Sequence, residues 1–158
     1  MDLMSDILSR GNSSRLYRIL VKEQPLFSEV NAYVMGSIDN NLFVVEGKPL
    51  PHVSMEEAER LLWNQLELLK DELVTDFELE KVKNKIESTL VFAELSILDK
   101  AMNLAFYEVL GNATLYNQEV EKYLAVTACD IQIVANQIFN RSNSSTLIYY
   151  AKDTQHVE

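Results

Sequence analysis

Ser54-Met55-Glu56-Glu57 and Thr75-Asp76-Phe77-Glu78 share one pattern, a hydroxyl residue followed three positions later by an acid. At a helix start the hydroxyl accepts the amide of the third helical residue, and the acid reaches back to the cap's own amide. Two such starts about twenty residues apart demand two successive helices joined by a very short turn. The first helix carries Ala58, Leu61, Leu62, Leu66, Leu69 and Leu73 at helical spacing. The second can be followed from Asp76 to about Leu110 with no Gly or Pro inside. Unbroken, it would run roughly 50 Å at about 1.5 Å per residue. A break near Ser96 stays open. Its charged first half, residues 78–87, is expected to project beyond the body, and its apolar second half, residues 90–106, to pack on it.

The front of the chain opens in a helical pattern, with Leu3, Met4, Ile7 and Leu8 on one stripe. Gly11 suits a helix end at positive φ, and Ser13 or Ser14 can cap the next helix. That helix presents Leu16, Ile19 and Leu20 and closes before Pro25. Residues 30–35 and 42–46 are β-prone and flank Asp39-Asn40-Asn41, which reads as a β-hairpin, and residues 48–51 leave it as an extended exit. Beyond the long helix, Gly111-Asn112 is a stop and residues 116–124 form a short helix. Thr127 to Asp130 caps a last helix with Ile131, Val134, Ala135 and Ile138 on its stripe. Residues 145–150 read as a terminal strand, and residues 152–158 as a mobile tail. The order is α-α-β-β-α-α-α-α-β: an α+β chain, expected as a two-layer sandwich of one mostly antiparallel sheet with helices on one face. Three strands make a thin sheet, so one or more leading strands are expected to be missing from the front. Residues 1–151 form a single domain in this reading.

Chemistry is sparse. The chain has 14 Lys+Arg against 24 Asp+Glu, a net charge of −10, which disfavours nucleic acid and anionic lipid as partners. No apolar run reaches the length of a membrane span. No signal peptide is read where acidic Asp2 follows Met1, and a soluble protein, cytoplasmic or periplasmic, is expected. The single cysteine, Cys129, excludes an internal disulfide and is expected to be a small, half-buried residue in the first turn of a helix. The two histidines, His52 and His156, have no second His or acid at metal-ligand spacing, so no metal or other cofactor is expected in this chain. Glu57 is taken up by its capping box, Trp63 by the core or an interface. The residues by themselves define a fold and no active site.

Four stretches taken together resemble the insulinase/pitrilysin family of zinc metallopeptidases, which includes the mitochondrial processing peptidases and their non-catalytic relatives. They are LSRGNSSRLYRILVKEQ, PHVSMEEAERLLWNQLELLKDELVTDFELEKVKNKI, YLAVTACDIQIVANQIF and STLIYY, in order across residues 2–150. The resemblance implies paired α/β domains enclosing a peptide chamber. It places catalytic zinc on an amino-terminal domain with an inverted His-x-x-Glu-His motif. That motif is absent here, so the chain is similar to the later, carboxy-terminal domain, with no catalysis of its own. Its implied partners are the amino-terminal zinc domain and a peptide substrate, and a homodimer is allowed.

Active relatives supply from this later domain an Arg and, seven residues on, a Tyr that contact substrate near the zinc. Those places fall at Val21 and Ser28 in one register and at Leu20 and Phe27 in another, so the pair is absent. The remaining candidates for substrate contact are Tyr17, Arg18 and Tyr33, the last on the strand edge of residues 30–35. Two functions follow. One is the non-catalytic domain of an insulinase-like zinc peptidase, enclosing the chamber and supporting substrate. The other is a domain of an inactive partner or assembly subunit, which the lost Arg/Tyr pair favours. An unrelated helical α+β domain is a third reading.

Overall fold

The computed structural model describes residues 1–36 and 41–150. The turn expected at Asp39-Asn40-Asn41 and the tail with His156 lie, wholly or in part, outside the described residues. The chain is mainly helical with one antiparallel pair of strands, an α+β architecture. In order come α1 (Asp2–Ser9), a π-helical turn (Tyr17–Glu23), β1 (Phe27–Met35), β2 (Leu42–Pro49) and α2 (Met55–Asp71). These are followed by α3 (Asp76–Ala93), α4 (Ile97–Val109), a 3-10 turn (Ala113–Gln118), α5 (Glu119–Ala125), α6 (Ala128–Ile138) and a final 3-10 turn (Arg141–Asn143).

The stripe expected at the front is the centre of the core. Leu3, Met4, Ile7 and Leu8 of α1 are at most 3% exposed. They join Leu16, Leu20, Phe27, Val30 and Leu69 in one apolar cluster. α1 lies against β1 and α3, and Ser9 Oγ fastens it by donating to the Ala32 carbonyl at 2.8 Å. α2 lies against α6, where Gln132 Nε2 donates to the Lys70 carbonyl at 2.9 Å. Phe43 of β2 meets Phe139, just past α6, edge-on at 5.2 Å.

Gly11 does take a positive φ, of +83°, as a helix stop requires. The serines after it do not cap. Ser14 is buried and its hydroxyl donates back to the Gly11 carbonyl at 2.7 Å. Ser13 Oγ accepts from Lys81 instead. The segment they precede winds as a π-helix, with the Gln24 amide bonded five residues back to Ile19. The capping signature at Thr75 closes both ways, with Glu78 returning to the Thr75 amide. At Ser54 only the serine half forms, and Glu57 extends toward Arg60, 3.8 Å away. The box at Thr127 is complete, with Asp130 as its acid.

Four expectations are corrected. The long helix is two helices, broken after Ala93, with Ser96 capping α4 through the Asp99 amide at 3.2 Å. The roles of its halves are reversed. α3 packs through Leu79 and Val82, because its charges find partners along the body: Glu78 with Arg15, Lys81 with Ser13, Lys83 with the Leu124 carbonyl. α4 buries no residue at all. The terminal strand does not form. Among the described residues no strand lies beside residues 145–150 to complete a ladder, Leu147 is 94% exposed, and Thr146 reaches instead to Glu59 of α2, which also pairs with Arg141. Cys129 is exposed, not half-buried, because it sits on the outer side of the first turn of α6.

One glycine is required by contact. A Cβ on Gly47 of β2 would lie 2.8 Å from the Phe27 ring, which is 2% exposed and cannot yield. Gly47→Ala is expected to destabilise the chain by about 1–3 kcal/mol in denaturant unfolding. Gly36→Ala, with nothing near its Cβ, stays close to neutral.

Glu78 accepts from Arg15 Nε at 2.7 Å and Nη2 at 2.9 Å, and these bonds hold its carboxyl down at about 2. A carboxylate lowered on folding stabilises above its ordinary value, about 4.5, and that contribution fades as pH falls toward about 2. Glu78→Gln keeps an acceptor for the cap but loses the charge. It is expected to cost about 1–3 kcal/mol near neutral pH and to flatten the acid limb of a stability-against-pH curve.

Candidate functional site

α1, β1, α3 and α5 enclose between them an open cleft of about 620 Å³. Its floor is one run of β1, residues 31–34, beside Glu46 of β2. β1 is hydrogen-bonded to β2 on one side only, in a register that sets Ala32 opposite Val45 and Tyr33 opposite Val44. Among the described residues no strand covers its other edge. Such an edge presents backbone donors and acceptors to an extended peptide, apart from the Ala32 carbonyl, which Ser9 Oγ already takes.

The walls are acidic. α1 contributes Asp2, Asp6 and Arg10, β2 contributes Glu46, and α5 contributes Glu119 and Tyr123. Asp6 is buried and takes Arg10 Nη1 at 3.3 Å. Burial outweighs that partner and raises its carboxyl above the usual range. Tyr123 donates its hydroxyl to Asp2 Oδ2 at 2.9 Å, and burial followed by the nearby Asp2 charge pushes its phenol up. Four carboxyl groups therefore face one guanidinium. A chain bearing Lys, Arg or a free amino terminus is the complementary guest. Ile86 and Leu90 of α3 supply an apolar patch on the same wall.

The three candidate contact residues are not gathered in one place. Tyr33 lines the cleft and is 39% exposed. Tyr17 is half-buried and Arg18 exposed on the π-helical turn, where Arg18 Nε stands 3.7 Å from Glu23, and neither lines the cleft. Arg15 is held by Glu78. In one register the places of the absent Arg/Tyr pair, Leu20 and Phe27, are core positions at 0% and 2% exposure. In the other, Val21 is half-buried, and exposed Ser28 donates to the Lys48 carbonyl at a bulge in the ladder. Sequence reasoning missed Asp6, Arg10, Glu46, Glu119 and Tyr123. Only the Asp6–Arg10 pair, four apart on a helix, left a local signal.

Among the described residues no three His, Cys, Asp or Glu side chains gather as metal ligands. His52 is exposed in the turn before α2. The donor set does not fit the zinc of a peptidase, which takes His nitrogens with a carboxylate at close range. No described helix is long and apolar enough to cross a membrane.

The family model for the Peptidase M16 inactive domain matches residues 1–86. The zinc protease PqqE of Helicobacter pylori is 27% identical over 147 residues, covering 93% of this chain and 33% of that protein. An uncharacterized zinc protease of Rickettsia bellii is 25% identical over 147 residues, covering 92% of this chain and 35% of its own length. The chain thus spans about a third of the length of these curated relatives. Among solved structures, a protease from Helicobacter pylori superposes with a TM-score of 0.81 at 26% identity, over 89% of this chain and 34% of that one. The inactive peptidase domain of a provisionally named zinc protease from Bordetella parapertussis gives 0.79 at 25% identity, over 90% and 75%. Fold and sequence agree, and the chain belongs to the Peptidase M16 inactive-domain family, the carboxy-terminal, non-catalytic domain of insulinase-like zinc proteases.

Proposed function

We propose that this domain helps to enclose the peptide chamber of an M16 zinc protease and holds an extended, basic stretch of substrate along the free edge of β1. The observation that carries this is the acidic cleft whose floor is that edge. Main-chain pairing would supply affinity, Tyr33 a flat side-chain contact, and Glu46 and Glu119 the preference for positive charge. Zinc and the reacting water belong to an amino-terminal domain of the same or a partner chain, and the parent is a zinc endopeptidase in this reading. The sandwich expected from the sequence belongs to the same reading, with helices on one face and a sheet that extends beyond the two strands described.

A second reading has its own support. The places of the substrate-contacting Arg/Tyr pair hold Leu20 and Phe27 in the core, or Val21 and Ser28, none of which can do that work. A domain of an inactive partner subunit has no need of the pair. Mixing with a zinc-bearing partner separates the two readings. A rise in cleavage rate supports the substrate-holding role, and assembly without any rise supports the partner role.

Fluorescence anisotropy with a labelled Lys/Arg-containing peptide tests the cleft. Tyr33→Ala and Glu46→Gln are each expected to weaken binding roughly threefold to tenfold. An N-methylated peptide, unable to pair with an edge, is expected to lose it. Absence of binding by every such peptide overturns the proposal. So does protection, in a longer parent with no peptide present, of those amides among residues 31–34 that face away from β2, which would give the edge to a strand of the parent itself. EDTA-sensitive cleavage by this chain alone would remove the non-catalytic assignment.

A further inference from the structure

α4 is the anomaly of the fold. Its contacts are chiefly with the 3-10 turn that follows it, and it leaves Ile97 88%, Leu98 69%, Met102 61%, Phe106 52% and Val109 80% exposed. The end of α3 and the turn after it add Val91, Phe92 and Leu95 at 57–77%. Together these present on the order of 1,000 Å² of apolar surface, where an isolated soluble protein shows a few hundred.

The spacing is as informative as the area. Within α4, Leu98, Met102, Ala105 and Val109 follow one another at intervals of four, three and four. That alternation lays them along one face, a seam which another helix can cover. Within α4 the set Leu98, Met102, Ala105 and Val109 reads four, three, four in either direction. An antiparallel two-fold pairing therefore sets Met102 opposite Ala105 and Leu98 opposite Val109, each larger side chain against a smaller one. The charged residues of α4, Asp99, Lys100 and Glu108, all lie off this seam. With one base among three charges the helix has no cationic flank for a lipid surface. The area matches what one side of a stable dimer needs, about 800 Å².

We infer that α4 is a self-association surface, on which a second copy of this chain packs its own α4 antiparallel across a two-fold axis. The inference is independent of the peptide cleft, which lies on α1, β1, α3 and α5. Each copy carries a net charge of −10, so like charges oppose the pairing and added salt strengthens it.

Sedimentation velocity on the 158-residue chain, from about 1 to about 100 µM, is expected to show a species of twice 18.1 kDa. Raising salt should shift the transition to lower concentration. Met102→Glu is expected to weaken association at least tenfold, with an unchanged melting curve at concentrations where both chains are monomeric, because the side chain is already exposed. Lys100→Gln, off the seam, should leave the dimer intact. In a Cys129→Ser background, Met102→Cys mixed with Ala105→Cys should cross-link faster than Met102→Cys alone. A monomer across the whole range overturns the inference, as does a dimer indifferent to Met102→Glu or a preference for Met102→Cys self-linkage. Vesicle binding by a monomer, lost in Met102→Glu, would give the surface to lipid. Exchange protection of residues 97–109 in a monomeric longer parent would give it to the rest of that parent.

Discussion

The carboxylate of Glu78 is the point on which the arrangement of the domain turns. It takes Nε and Nη2 of Arg15 from the front segment, and the amide and hydroxyl of Thr75 at the head of α3. Four donors match the lone-pair capacity of a carboxylate. One group thus starts a helix and fixes where the front of the chain lies against it, across a sequence separation of 63 residues. Lys81, one turn on, repeats the tie by donating to the Ser13 carbonyl and hydroxyl. With α3 held there, α1 can rest on both α3 and β1, and the walls of the cleft stand apart at a set width.

What the sequence made legible is what neighbours in the chain decide. The starts at Thr75 and Thr127, the positive φ of Gly11 and the hairpin all rest on contacts within a few residues. Misreadings arose where the answer depends on partners far along the chain. Whether residues 78–87 or 90–106 pack is settled by Arg15, Ser13 and Leu124 waiting for the charges of α3, none of them visible from a charge pattern. Residues 145–150 have the composition of a strand, but a strand is made by the edge beside it. In the cleft, Asp6 and Arg10 could be paired on paper. Nothing in the sequence joins Tyr123 to Asp2, 121 positions away.

The same contrast separates family from function. The stretches that carry the family resemblance are largely the stretches that build the core and the caps, so they report architecture. Residues 15–28, where the resemblance places a substrate-contacting pair, hold Leu20 and Phe27 turned inward and Arg15 spent on Glu78. The domain retained the scaffold in which such contacts arise while its side chains took structural work.

The π-helical turn of residues 17–23 has a consequence for how this segment compares with any relative. A bond that spans five residues instead of four holds more chain per turn than an α-helix. Removing one residue there would let the turn relax to α-helical winding with both ends still in place. Each residue in an α-helix accounts for about 100° of rotation, so the residues kept within the turn would be redistributed around its axis while those beyond it keep their directions. Positions that align letter by letter across this turn therefore need not point the same way. A one-residue difference in length is enough to exchange a core leucine for a side chain that faces outward.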